Sequence, residues 1–175
     1  MQKKIIIVGN GSSILDKENG SLIDSFDIVV RFNSFKIKNY EKYTGTKTNI
    51  WFTVNRAHIS EINSFDRVIE HCWEWDEKKD KLFIELKNKF PKCEKTTREF
   101  VRSIPVENPS TGLIAIFTFI KDSSIAKPVY ITGFDWWDRE KHHYGDKEVR
   151  GTLHKPKKEY LEIHNLMKKN LVSML

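Results

Sequence analysis

The stretch Ile5-Ile6-Ile7-Val8-Gly9-Asn10-Gly11-Ser12-Ser13 decides the fold class. Four consecutive β-branched residues without polar alternation read as a strand buried on both faces, and such strands belong to parallel sheets covered by helices on either side. The glycine-containing segment that stops the run reads as a tight turn into a helix. Two further runs repeat the pattern: Ile28-Val29-Val30 ends at Arg31-Phe32-Asn33, and Ile50-Trp51-Phe52-Thr53-Val54 ends at Asn55. In open α/β sheets the ligand crevice lies beyond the carboxyl ends of the strands, so Asn10, Asn33 and Asn55 are expected to approach one another there.

Working outward, Arg67-Val68-Ile69-Glu70 reads as another short strand. The spacing of Leu82, Phe83, Leu86 and Phe90 predicts a helix over 77–90, closed by Pro91. A short strand is expected over 100–104. Asn108-Pro109-Ser110-Thr111-Gly112 leads into an apolar helix over 113–121, and Pro128 to Thr132 forms a strand ending at Gly133-Phe134-Asp135. From 136 to 155 no period holds and two glycines interrupt the run, which predicts a flexible loop or lid. The last helix starts near Pro156 and carries Tyr160, Ile163, Met167, Leu171 and Met174 on one face. This alternation predicts an α/β chain: a single domain over 1–175, built as an α/β/α sandwich around a mostly parallel, Rossmann-like sheet.

With 39% apolar and 31% charged residues, 175 residues suffice for one core, and disorder is excluded as the main state. Thirty Lys and Arg against 24 Asp and Glu give a net charge of +6. Half of that excess falls in 136–175, so this end is expected to meet something anionic. The same segment holds His142, His143, His154 and His164, and imidazoles suit proton transfer near neutrality. No apolar run reaches bilayer length, and Met1-Gln2-Lys3-Lys4 leads straight into the first strand without a cleavage signal. A cytoplasmic chain is expected. Two cysteines, Cys72 and Cys93, make neither a disulfide framework nor a four-cysteine metal site, and both are expected to be reduced core residues.

Several segments have two readings. Val8-Gly9-Asn10-Gly11-Ser12 lacks the last glycine of a dinucleotide fingerprint, because Ile14 stands there. Its open backbone N–H groups and the Asn10 amide suit a phosphate; it also serves as a plain strand-to-helix turn. Ser110-Thr111-Gly112 is what any helix start prefers, or a set of hydroxyls and close-approach glycine aimed at the same crevice. His154, just before a Pro-started helix, suits a base that takes a proton from a hydroxyl, with Glu159 in the first turn orienting a neighbour. The alternative is a surface histidine beside a helix-stabilising glutamate. His142-His143-Tyr144 offers an imidazole and a phenol to steady a departing phosphate. Trp136 and Trp137 either stack on an acceptor sugar or pack in the core. No zinc or iron–sulfur spacing occurs, so no metal is implied, and neutral donors, helix N-termini and imidazoles are left to offset a phosphate.

Taken in order, these segments resemble glycosyltransferase family 29, the animal-type sialyltransferases. The long sialylmotif resembles Val8-Gly9-Asn10-Gly11 through Gly20, Ile23-Asp24, Asp27 and Val30-Arg31-Phe32-Asn33. The short motif resembles Pro109-Ser110-Thr111-Gly112-Leu113 followed by a strand and Gly133-Phe134. The third resembles His143-Tyr144-Gly145-Asp146, and the very short motif resembles His154 through Glu159. The resemblance implies a GT-A-like variant of the sandwich and a metal-independent, inverting transfer of sialic acid from CMP-sialic acid to a glycan hydroxyl, with no cofactor. It implies Asn10 and Asn33 at the donor phosphate, and Gly11, Thr111, Gly112 and Gly133 near the ribose. Ser110 and Phe134 would lie by the cytosine, His143 and Tyr144 at the leaving phosphate, and His154 would be the base, with Glu159 holding the arrangement.

Family members carry a motif disulfide, an N-terminal anchor and a larger catalytic domain. Neither motif here holds a cysteine, which suits a short bacterial member acting on lipooligosaccharide or capsule at the inner face of the cytoplasmic membrane. Lys155, Lys157, Lys158, Lys168 and Lys169 would then touch anionic lipid. Transfer of Kdo from CMP-Kdo is an alternative. A methyltransferase lacks its third glycine, and a non-catalytic nucleotide- or nucleic-acid-binding module would give His154 no role; no nucleic-acid partner is expected.

Overall fold

In the computed structural model, residues 1–54, 65–71, 81, 83–85, 87–88, 93–136, 143–144 and 154–175 are described. Strand β1 (Ile5–Val8) has no side chain more than 1% exposed, as its unbroken β-branched run requires. It is flanked on both sides. β2 (Ile28–Phe32), β3 (Ile50–Thr53), β4 (Arg67–Glu70) and β5 (Cys93–Lys95) follow in one direction, while β6 (Val129–Thr132) and β7 (Val172–Met174) lie on the other. The order is β5-β4-β3-β2-β1-β6-β7, and every pairing is parallel. The winding therefore reverses between β1 and β6, which is where a crevice opens in such sheets.

Alternate side chains feed two layers. Ile5, Ile7, Val30, Phe32, Ile50 and Phe52 pack against the Thr111–Lys121 and Pro156–Lys168 helices. Ile6, Val8 and Val29 face Ile14, Ile23, Phe26 and Tyr144. On this second face the register row Val8, Arg31, Trp51, Val68, Cys93 places a fully buried guanidinium between two apolar clusters. Arg31 is held by the carbonyls of Thr44 and Lys47 and by Thr48 Oγ1, so it fixes the loop before β3.

Two sequence expectations are corrected. Residues 100–104 do not form a strand: Arg98–Arg102 is a helix, because Thr97 Oγ1 caps it by accepting from the Phe100 N–H and Glu99 sits in its first turn. The fifth strand is instead Cys93–Lys95, a three-residue edge with Cys93 buried. The last helix stops at Lys168 rather than running through Met174. Asn170 adopts φ 55°, its N–H bonds Met167 O, and the Leu171 N–H bonds Leu166 O, the Schellman pattern that ends helices. Val172–Met174 then pairs with β6. Residues 81, 83–85, 87 and 88 are helical as expected, whereas Asn55 and Cys72 lie outside the described residues. Among the described residues no helix is long and apolar enough to cross a membrane.

At the reversal point the turns after β1 and β6 touch. The Gly9 N–H donates to Thr132 O and the Gly11 N–H to Gly133 O, each at 2.8 Å. Gly133 takes φ +69°, and a Cβ on Gly9 would stand 2.2 Å from Gly133 O. Gly9→Ala must therefore push two backbones apart. The expected loss is about 1–3 kcal/mol of unfolding free energy in urea titrations, as for other overpacked sites; unchanged stability would show that the turns do not meet.

Candidate active site

The contact between these turns corrects one expectation about phosphate binding. The β1 turn does not keep its N–H groups open: those of Gly9 and Gly11 go to the β6 end, and that of Ser13 goes to the Asp135 carboxylate at 3.1 and 3.3 Å. Ser12 Oγ also donates to Asp135, at 3.3 Å. An acidic side chain thus occupies the start of the Ser12–Asp16 turn of helix. What the segment offers instead is the Asn10 side chain. Its Nδ2 donates to Phe32 O at 3.3 Å, while its Oδ1 is buried and accepts from no described residue. A buried carbonyl without a donor is costly unless a ligand or water supplies one.

Asn33 closes β2 in the left-handed region, φ 42°, which Asn tolerates better than most residues. Its Oδ1 accepts from the Val54 N–H at 2.8 Å and its main-chain carbonyl from Trp51 Nε1 at 3.0 Å, so it ties the ends of β2 and β3 together. Tyr144 is buried. Its main-chain N–H donates to Asn10 O at 2.9 Å, and its phenol donates to Lys36 O at 2.6 Å and accepts from the Lys36 N–H. The phenol thus serves as a clamp between loops, and burial pushes it above the ordinary tyrosine range. The same clamp carries the half-buried His143 to the side of Asn10.

On the opposite face, the Pro156–Lys168 helix delivers Glu159, only 3% exposed, to the start of the Thr111–Lys121 helix. The Ser110 N–H and hydroxyl donate to its two carboxylate oxygens at 2.6 and 2.7 Å, and the same hydroxyl caps its own helix by accepting from the Leu113 N–H. Burial raises the Glu159 pKa; the Ser110 hydrogen bonds and the nearby His154 oppose that shift. Thr111 opens the helix, and Gly112 lets the Phe134 ring lie over its first turn, since a Cβ there would stand 2.7 Å from that ring. Phe134 meets Phe32 edge-on and tilts against Trp136, which in turn meets Tyr160, so Trp136 is packed into an aromatic row.

His154 lies immediately before this helix. Its Nδ1 is 2.9 Å from Asn108 O, and since a carbonyl only accepts, the proton sits on Nδ1 and Nε2 is the basic nitrogen. The structure thus brings His154, Glu159 and Ser110 together on one face and Asn10, His143 and Tyr144 on the other, both at the carboxyl edge of the sheet. Trp137, His142, Gly145 and Asp146 lie outside the described residues.

Two further residues linked to His154, one by a hydrogen bond and one through its charge, were not singled out in the sequence. Asn108 fixes its tautomer from a left-handed conformation, φ 50°. His71, 1% exposed at the carboxyl end of β4, has Nδ1 3.1 Å from Thr96 Oγ1. Its position just past a strand was the available signal. Burial first, and the charge of His154 second, lower its pKa from 6.5 to about 4. The folded chain therefore binds fewer protons here than the unfolded one between those values, and stability falls as pH drops from 6.5 towards 4. Thermal midpoints across this range are expected to fall less steeply for His71→Asn, which keeps a polar group for Thr96 but does not titrate; parallel curves would refute the assignment.

Residues 2–75 match the sequence model of glycosyltransferase family 29 (sialyltransferase). The chain is 28% identical over 125 residues to the human CMP-N-acetylneuraminate-beta-1,4-galactoside alpha-2,3-sialyltransferase, covering 70% of this chain and 33% of the relative. It is 46% identical over 46 residues to a beta-1,6-galactosyltransferase of Arabidopsis thaliana, covering 26% and 12%. The chain spans about a third of the length of the curated sialyltransferases it matches first. The fold is shared with a mammalian sialyltransferase crystal structure at TM-score 0.72 and 18% identity, over 99% of this chain and 69% of that one. A second mammalian structure, in complex with Gal-beta-1-3GalNAc-ortho-nitrophenol, gives TM-score 0.71 at the same identity and coverage. Over residues 2–75 the chain is thus similar to glycosyltransferase family 29 (sialyltransferase), and over 125 residues to the human sialyltransferase.

Proposed function

We propose that this chain transfers sialic acid from CMP-sialic acid to a glycan hydroxyl, with inversion and without a divalent metal. The observation that carries the reading is the His154–Asn108 contact, which leaves Nε2 as the basic nitrogen at the rim of the sheet's crevice. In this mechanism Nε2 takes the proton of the acceptor hydroxyl as its oxygen attacks the anomeric carbon. The bond from that carbon to the CMP phosphate oxygen breaks, and its electron pair leaves with CMP. His143 and the neutral amides of Asn10 and Asn33 meet the growing phosphate charge. Asn10 Oδ1, an acceptor in need of a donor, suits a hydroxyl or amino group of the nucleoside. Glu159 is a positioning residue, its carboxylate already engaged by Ser110.

The five lysines at the ends of the last helix are all exposed, which suits an acceptor presented at an anionic cytoplasmic membrane face, as in lipooligosaccharide or capsule synthesis.

CMP is expected to raise the thermal midpoint, whereas S-adenosylmethionine and RNA are not. With CMP-sialic acid and a glycan panel, wild type should release CMP in step with transfer. His154→Ala should lose about 100-fold or more of that rate, the usual contribution of a general base, while keeping the CMP-induced stabilisation. Full activity in the variant would remove His154 from the chemistry.

A further inference from the structure

Between the Arg98–Arg102 and Thr111–Lys121 helices the chain runs without regular structure, and this connection holds two groups from the start of the last helix. The Asn108 carbonyl accepts from His154 Nδ1 at 2.9 Å, from a left-handed backbone at φ 50°. Just after it, the Ser110 N–H and hydroxyl donate to Glu159 at 2.6 and 2.7 Å. The same connection, from Ile104 to Pro109, lines a cavity of about 490 Å³, within the ~300–1,000 Å³ range of small-molecule sites. Arg98, Val101 and Arg102 complete its wall. Val101, Ile104 and Val106 are buried and make one side apolar, while Arg98 and Arg102 are exposed. Spaced four apart on one helix, the two guanidiniums share a face. Among the described residues, neither arginine has a carboxylate within ion-pair distance. Glu107 is the single carboxylate in the lining, which leaves an excess of positive charge.

We propose that this cavity binds a small amphiphilic acid, its apolar body on Val101, Ile104 and Val106 and its acid group on Arg98 and Arg102, and that occupancy is transmitted to His154 through Asn108. The site goes beyond the transferase reading and does not depend on it. Its wall adjoins the Nδ1 side of His154 rather than the basic Nε2, so its occupant is a ligand distinct from any group that reacts there. Guanidiniums bind carboxylate, sulfate or phosphate through paired N–H donors, which selects for the acid. Removal of apolar surface from water selects for the body attached to it. An occupant that fits only while Ile104 and Val106 stay in place favours that arrangement of the connection over others. The Asn108 carbonyl is then held in one direction, and the imidazole that donates to it is held with it.

The probes are 2-naphthoate and 2-naphthamide, which share one ring system and differ in charge, titrated into the full chain and followed by NMR. Wild type is expected to bind the naphthoate about tenfold more tightly, a difference typical of one charge-assisted hydrogen-bonded pair. The His154 imidazole signal should move along the same saturation curve as the amide signals of Val106 and Asn108. In Arg98→Gln/Arg102→Gln the preference should shrink to about twofold or less. Naphthamide affinity and the thermal midpoint of the ligand-free chain should stay unchanged, because both positions are exposed. Absence of saturable binding, equal binding of the two probes by wild type, or a preference that survives in the double variant overturns the proposed ligand. Saturation that leaves the His154 signal in place overturns the transmission. No readout here uses CMP or turnover, so failure of the transferase reading is scored separately.

Discussion

The arrangement depends on one steric constraint: the turns after β1 and β6 cross so closely that no side chain fits between Gly9 and Gly133. These strands are neighbours at the point where the winding reverses, so their carboxyl-end turns must share one volume. Backbone hydrogen bonds fill that volume, and the Asp135 carboxylate takes the start of the following turn. In many nucleotide-binding sheets the first turn offers its own N–H groups to phosphate. Here several of those groups hold the sheet centre together instead.

Both faces are organised by buried polar groups with specific partners. On one, Arg31 remains a cation: burial lowers its pKa to about 10, still above neutrality, and three backbone or hydroxyl oxygens receive its N–H groups. Tyr144 completes that face by joining Asn10 to Lys36. On the other, the Ser110–Glu159 pair joins the last helix to the one that precedes β6. Hydrogen bonds to a buried charge contribute about 1.5–3 kcal/mol each, and deleting one partner strands the other. His143 and His154 hang from these two anchors, so their placement is inherited from groups that need not touch a substrate.

The sheet was legible because its strands are unbroken β-branched runs, a pattern that leaves few alternatives once both faces must be dry. Short segments were not. The 100–104 stretch carries too few apolar residues to separate a period of two from one of 3.6, and the Thr97 cap decided for helix. The final segment kept a helical spacing through Met174, yet Asn170 turned the chain and the vacant side of β6 took three residues as a strand. Cys93–Lys95 became a strand only because β4 offered an edge.

By itself the sequence determined the parallel α/β class, the order of its motifs and the residue types available at each strand end, because hydrophobic periodicity and turn chemistry act over a few neighbouring residues. Only the tertiary structure decided which of those residues meet. Asp135 on the Ser13 N–H and Ser110 under Glu159 are contacts between residues 122 and 49 positions apart. Local rules carry no information about such pairs; packing of the layers selects them.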